Sequence, residues 1–300
     1  MYNYNKLNEY YKKKFGERTL KICVDGGFTC PNRDGKKGYG GCIFCGALGA
    51  GENTLKNKSV KEQVEYILNS KSRRANKFIV YFQNFTSTYS SVDKLKEIYD
   101  SALIDERIVG LDIDTRVDCI TEEVCILLAS YKDKYKVFVE LGLQTVNEKT
   151  HQEINQNITN DEFKKAIELL KKYDIEVIVH IMIGLPNETH QDIVNTINYL
   201  NECKYEGIKI HSTYVIKNTL LEEMYNKGIY NPITFEEYME ELLYIITHIS
   251  PKVVFHRITG DPSKDELVVP EWTLHKKNIL NGIEKRLTTQ KLYQGIYYKK

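Results

Sequence analysis

A chain of 300 residues can bury a large core in one or two domains. Its 42 Lys/Arg and 41 Asp/Glu nearly cancel, so bulk charge does not mark a nucleic-acid binder, and no stretch approaches the ~18–20 apolar residues of a membrane span. Seven cysteines, an odd number, with no apolar leader in residues 1–20, argue against a disulfide framework and for a reducing, cytoplasmic setting.

In chain order, β-branched or apolar runs mark strands at 20–25, 78–83, 110–115, 137–144, 176–184, 208–215 and 253–258. Segments 60–69, 92–103, 122–131, 161–173 and 189–203 between them carry apolar residues at three-and-four spacing and read as helices. Ser59 with Glu62, and Thr234 with Glu237, have the spacing of capping boxes. Strands alternating with helices imply parallel βα units, and a right-handed run of six curls into a barrel or part of one. The expected fold is α/β: a partial (β/α)6, TIM-like barrel over residues 1–260, with a partly helical extension, 261–300, packed on or beside it. The two ends are basic. Residues 271–300 hold seven Lys/Arg and two Glu, and residues 1–21 hold six Lys/Arg and two Glu. Such ends can touch a polyanion, although solvated terminal faces are the commoner cause.

The chemistry is densest just after the first strand, in a loop spanning 26–51. Cys30-Pro-Asn-Arg-Asp-Gly is followed, with eleven residues between Cys30 and Cys42, by Cys42-Ile-Phe-Cys45-Gly. Three thiolates on one glycine-rich loop are one short of the four that saturate an iron–sulfur cluster. A four-iron cluster held this way leaves one iron open to chelate the amine and carboxylate of S-adenosylmethionine (SAM). A structural zinc site usually has four ligands, yet no histidine precedes His151, and Cys23 lies in an apolar run where packing is its ordinary role. A redox pair of Cys42 and Cys45 leaves Cys30 unexplained. Cys119, Cys125 and Cys203 are read as core.

Other polar residues fall at strand ends, where barrels of this type collect their active sites. They are Gln83, then Asp114, Arg116 and Asp118, then Glu140 with Gln144, then His180, and finally His211. Glu140 and Gln144, four apart on one strand, share a face. Burying them near a barrel axis is costly unless something polar is bound there. His180 and His211 also suit satisfied core positions, and the turn Gly184–Thr189 suits ordinary helix capping.

The chain resembles the radical SAM superfamily along nearly its whole length. More narrowly it resembles the YhcC/YtqA group, relatives of the elongator catalytic subunit. The resemblance rests on G-F-T-C-P-N-R-D-G and G-G-C-I-F-C-G, F-Q-x-F-T-x-T from Phe82, and T-R-x-D from Thr115. E-L-G-L-Q-T from Glu140, H-I-M-I-G-L-P from His180 and R-I-T-G-D from Arg257 complete it. Val117 stands where the group has Pro, and Asn187 where it has Gly; Asn is the non-glycine residue that best tolerates a left-handed turn. The resemblance implies a barrel of the radical SAM type and a 4Fe–4S cluster on Cys30, Cys42 and Cys45. SAM on the open iron would be cleaved to a 5′-deoxyadenosyl radical that abstracts hydrogen from substrate. It also implies cofactor-binding residues: Phe44 with its backbone against adenine, and Gln83, Glu140 and Gln144 on the ribose and amino-acid ends of SAM. Arg116 would meet the SAM carboxylate or a substrate phosphate, and Gly184 joins the same set. A reductant such as flavodoxin or ferredoxin would supply the electron. The implied substrate is the C5 side chain of a tRNA wobble uridine. A small metabolite or protein side chain is the alternative within this chemistry; a non-catalytic zinc or iron–sulfur module is the alternative outside it. Trp272, Tyr293, Tyr297 and Tyr298 would grip RNA, or else Trp272 anchors a helix that closes the barrel.

Overall fold

The structure is a computed structural model that describes residues 3–47, 49, 54, 55 and 57–299. Residues 48, 50 and 51 of the expected cluster loop lie outside the described residues. Seven strands form one parallel sheet in chain order, each beside its predecessor. They are β1 (Thr19–Val24), β2 (Lys77–Phe82), β3 (Ile108–Thr115), β4 (Lys136–Gln144), β5 (Glu176–Ile183), β6 (Gly207–Ser212) and, after the short β7 (Val215–Ile216), β8 (Val254–Arg257). The helices between them are α2 (Val60–Lys71), α3 (Val92–Ala102), α4 (Glu122–Ser130), α5 (Glu148–Glu153), α6 (Asn160–Lys172), α7 (His190–Glu202), α8 (Leu220–Asn226) and α9 (Phe235–His248). Ahead of β1 comes α1 (Leu7–Phe15), which the periodicity did not announce.

Side-chain contacts show how far the sheet curls. Strands lie ~4.8 Å apart, so in a flat sheet β1 and β4 would be separated by about 14 Å, and β2 and β6 by about 19 Å. Yet Lys21 Nζ on β1 reaches Glu140 Oε1 on β4 at 2.7 Å, and Lys209 Nζ on β6 donates to the Tyr81 hydroxyl on β2 at 3.0 Å. The sheet is therefore a half-barrel whose concave face meets itself. Alternation along each strand sends Ile79, Phe138 and Ile178 into this concavity at its lower end. There α1 closes the opening with Tyr11, which is 2% exposed and forms one apolar cluster with the three.

The outer face is covered by amphipathic helices. Helix α6 illustrates the local logic: Thr159 and Glu162 form a capping box, and Phe163, Ala166, Ile167 and Leu170 face the sheet. The boxes expected at Ser59 and Thr234 form as well. The run expected as one strand at 208–215 divides. After Ser212 the chain leaves the sheet, and Val215–Ile216 pairs antiparallel with β9 (Leu267–Val269). Farther on, α10 (Lys276–Thr289) buries Ile279, Ile283 and Leu287. Trp272 packs on Tyr238, with ring centroids 4.9 Å apart, and donates its indole N–H to the Ile233 carbonyl. Trp272 is thus a packing anchor, whereas Tyr293 and Tyr297 remain exposed. Among the described residues, no helix is long and apolar enough to cross a membrane.

Candidate cofactor site

The carboxyl ends of the strands open on a cavity of about 400 Å³. Cys30, Cys42 and Cys45 all line it, and none is disulfide-bonded. Two local turns shape their loop: Arg33 N–H donates to the Cys30 carbonyl at 2.8 Å, and Cys45 N–H to the Cys42 carbonyl at 2.9 Å. The long intervening segment is held by asparagines. Asn155 Nδ2 donates to the carbonyls of Tyr39 and Gly41 at 3.0 and 2.7 Å. Asn157 Nδ2 donates to Asn32 Oδ1 at 2.8 Å, and Asn32, fully buried, donates to the Asn155 carbonyl. Asn155 and Asn157 have φ of 53° and 55°, a left-handed backbone that asparagine tolerates best after glycine. Gly38 lies so close to this knot that a Cβ there would sit 2.4 Å from Asn32 Oδ1. Arg33 braces the far end by donating to the Cys45 and Gly46 carbonyls.

Burial pushes the Cys42 thiol up to about 12, with Cys45 and Cys30 adding to the effect and Arg116 opposing it. Burial raises Cys45 as well, against Arg33. Three free thiols close enough to influence one another, beside two guanidinium groups, fit a metal cluster whose thiolates need compensating charge. Cys23 lines the same cavity from β1, a position that the packing expectation did not anticipate. Burial raises its thiol, against the nearby charges of Lys209, Lys71, Arg257 and Lys21. Cys125 is core as expected, while Cys119 and Cys203 are only half-buried.

Below the cavity lies a layer of charge. Glu140, 0% exposed, accepts from Lys21 at 2.7 Å, meets His180 Nε2 at 2.8 Å, and is also bonded to Lys209. Burial alone would raise its carboxyl, yet Lys209, Lys21 and His180 hold it well below the usual range. Lys21 also pairs with Asp112. Burial and the nearby Glu140 charge push Asp112 up to about 7 despite that lysine. The Tyr81 hydroxyl donates to Asp114 at 3.0 Å. Asp114, Glu140 and His180 bring ligand atoms within 4.8 Å of one another. Because two lysines already neutralise Glu140, this trio is a hydrogen-bonded floor rather than a cation site.

The structure divides the residues singled out from sequence. Phe44, Gln83, Arg116 and Gln144 line the cavity with the three cysteines; Glu140 and Gly184 do not. Glu140 is committed to the floor. Gly184 instead serves its turn: φ is +86°, and a Cβ would lie 2.7 Å from Ile233 Cγ2. Arg116 lines the cavity but is largely occupied. Its Nε and Nη2 donate to Asp118, at 2.9 and 3.1 Å, and its Nη1 donates to the Gln156 carbonyl at 2.8 Å. Gln144 has φ of 69°, just past a register shift in β4, and its buried Oε1 has no partner among the described residues. Asn187 adopts φ of 60°, as its turn requires. Sequence reasoning passed over Lys21, Lys209, Asp112, Asn155 and Asn157. A lysine between apolar neighbours in mid-strand, as in Leu20-Lys21-Ile22 and Ile208-Lys209-Ile210, was the available signal.

A curled parallel half-barrel with three clustered thiols at its strand ends defines a cofactor-dependent enzyme. The chain belongs to the radical SAM superfamily: residues 30–200 match the family described by that name, and residues 205–289 match the Radical_SAM C-terminal domain. It is 33% identical over 302 residues to YtqA of Bacillus subtilis, covering 99% of this chain and 93% of that protein. It is 34% identical over 261 residues to YhcC of Escherichia coli, covering 87% and 84%. Among solved structures, archaeal Elp3 from Methanocaldococcus infernus shares the fold, with a TM-score of 0.69 at 18% identity, over 92% of this chain and 64% of that one.

Proposed function

We propose that this radical SAM enzyme carries a 4Fe–4S cluster on Cys30, Cys42 and Cys45, with SAM beside it, and acts on the C5 side chain of a tRNA wobble uridine. The observation that carries the cofactor reading is that three free thiols of one loop share a cavity with Phe44, Gln83 and Gln144. Bound there, these groups supply reductive SAM cleavage and hydrogen abstraction from an unreactive carbon. The protein's own part is placement and shelter. The asparagine knot fixes the thiols, and Gln144 Oε1 is free to accept a donor from SAM. Phe44, beside Cys45 on the cavity wall, would lay its backbone against adenine. Arg116, tied to Asp118, acts as a fixed positive charge near the thiols rather than as a reaching hand. Buried walls such as Ile158 and Met182 keep water from a reactive centre.

The tRNA half of the proposal is supported by a more distant relative, tRNA uridine(34) acetyltransferase of Methanocaldococcus jannaschii. It is 31% identical over 169 residues, 55% of this chain and 30% of that protein. So short a share carries no acetyl transfer across. Anaerobic purification tests the cofactor half: about four irons with sulfide per chain, and 5′-deoxyadenosine formed from SAM with dithionite or a flavodoxin or ferredoxin, are expected. Colourless protein without sulfide defeats it. Comparing tRNA nucleosides from cells with and without the gene tests the other half, and identical profiles remove the tRNA substrate.

A further inference from the structure

We propose that Arg257 and His211 form an oxyanion-binding corner of the cavity, taking a carboxylate or phosphate of a ligand held there. This rests on the cofactor reading above, because the oxyanion belongs either to SAM or to the substrate beside it. Lys209 and His211, two apart on β6, point to the same face, and Arg257 on β8 is the register partner of Lys209. All three line the cavity.

Their charges are not equally satisfied. Lys209 is bonded to Glu140 and to Tyr81. Asp261, the carboxylate nearest in sequence to Arg257 on this wall, is paired with Lys276 at 3.0 Å. Among the described residues, Arg257 has neither a hydrogen bond nor an ion pair, and the buried Nε2 of His211 has no partner. Burial, then His180, Arg257 and Lys209, push His211 well below its ordinary value, so it is neutral and Nε2 can complement an oxygen. A half-buried guanidinium without a counter-ion is costly unless an anion arrives, and its planar fork matches carboxylate or phosphate with two parallel bonds. Arg116, the other arginine suited to this task by sequence, is occupied by Asp118 and the Gln156 carbonyl.

The test compares cluster-loaded wild type with Arg257→Gln, Arg257→Lys and His211→Gln, each checked for fold by circular dichroism. Three probes are titrated calorimetrically: inorganic phosphate, SAM, and 5′-methylthioadenosine, which lacks the SAM carboxylate. Loss of charge at a paired oxyanion is expected to weaken binding about tenfold or more, with Arg257→Lys recovering part of it. Weaker phosphate binding with SAM unchanged assigns the corner to the substrate. Weaker SAM binding with methylthioadenosine unchanged assigns it to the SAM carboxylate. Equal affinity of folded Arg257→Gln for all three probes overturns the proposal. Should that variant fold poorly, the same comparison is made on His211→Gln, where unchanged affinities likewise overturn it. If wild type forms 5′-deoxyadenosine while every affinity is unmoved, only the corner fails; if wild type holds no cluster and forms none, the underlying reading fails instead.

Discussion

At the rim of the cavity, Asn32, Asn155 and Asn157 hold the middle of the cysteine loop through neutral amides and carbonyls, and Arg33 braces its far end on two more carbonyls. On the floor, Lys21, Lys209, Asp112 and Glu140 hold four strands through charge. The two regions therefore fail differently. A neutral hydrogen bond contributes on the order of 1 kcal/mol net, so losses at the rim are graded. A buried charge stripped of its partner is strongly destabilising, so the floor gives way all at once. Rim geometry shapes where a cofactor is held, while floor charge keeps the half-barrel curled beneath it.

The largest effect is expected from the rim's working groups. Cys42→Ala should lose its iron and sulfide and bring 5′-deoxyadenosine to background, while circular dichroism still reports a folded half-barrel. Retention of a full iron complement would break the assignment of the rim. Next comes the floor. Glu140→Gln leaves Lys21 and Lys209 facing an uncharged amide and should cost about 3–5 kcal/mol, read from urea denaturation. A loss below about 1 kcal/mol would mean that the lysines are satisfied elsewhere and that the charge layer does not hold the curl.

These two sites also show what the sequence made legible. The C-x-x-C pair and its distant Cys30 stood out because such a thiol pattern is local in sequence, and the structure brings all three to one cavity. The strand and helix order followed from periodicity and caps. Glu140 was read on a sound premise, that a carboxylate near the barrel axis needs a polar partner. The partner is supplied by Lys21 and Lys209, three and two strands away, and only the degree of curl brings them there. The occupancy of Arg116 was hidden for the same kind of reason, since the Gln156 carbonyl that its Nη1 meets belongs to a loop forty residues on. The split of 208–215 was hidden because Thr213 and Tyr214 suit a strand as well as the exit from one. Local pattern thus located the chemistry, and tertiary closure decided which polar groups stay available.

A smaller effect is expected at the knot that joins the rim to the α5–α6 connection. Asn155→Gly keeps the left-handed backbone but removes the bonds to Tyr39, Gly41 and Asn157. It should cost about 1–2 kcal/mol and speed iron loss to a chelator. Asn155→Ala should cost about 1 kcal/mol more, because a Cβ without an amide strains the same φ. Equal stability of the two variants would show that strain at this position is absent.

The smallest effect sharpens the comparison most, because it places the floor's chemistry on the rim. Lys37 Nζ lies 3.0 Å from Glu162 Oε1, much as Lys21 lies 2.7 Å from Glu140. The side chains at the rim are 40% and 33% exposed, against 15% and 0% on the floor. Water and salt screen the exposed pair, and Glu162 keeps its capping role toward Thr159 when the lysine is gone. Lys37→Gln should therefore change stability by less than about 0.5 kcal/mol and leave iron content untouched. A cost near that of Glu140→Gln, measured in the same urea series, would mean that the cysteine loop is held by charge after all. Burial would then no longer separate the two regions.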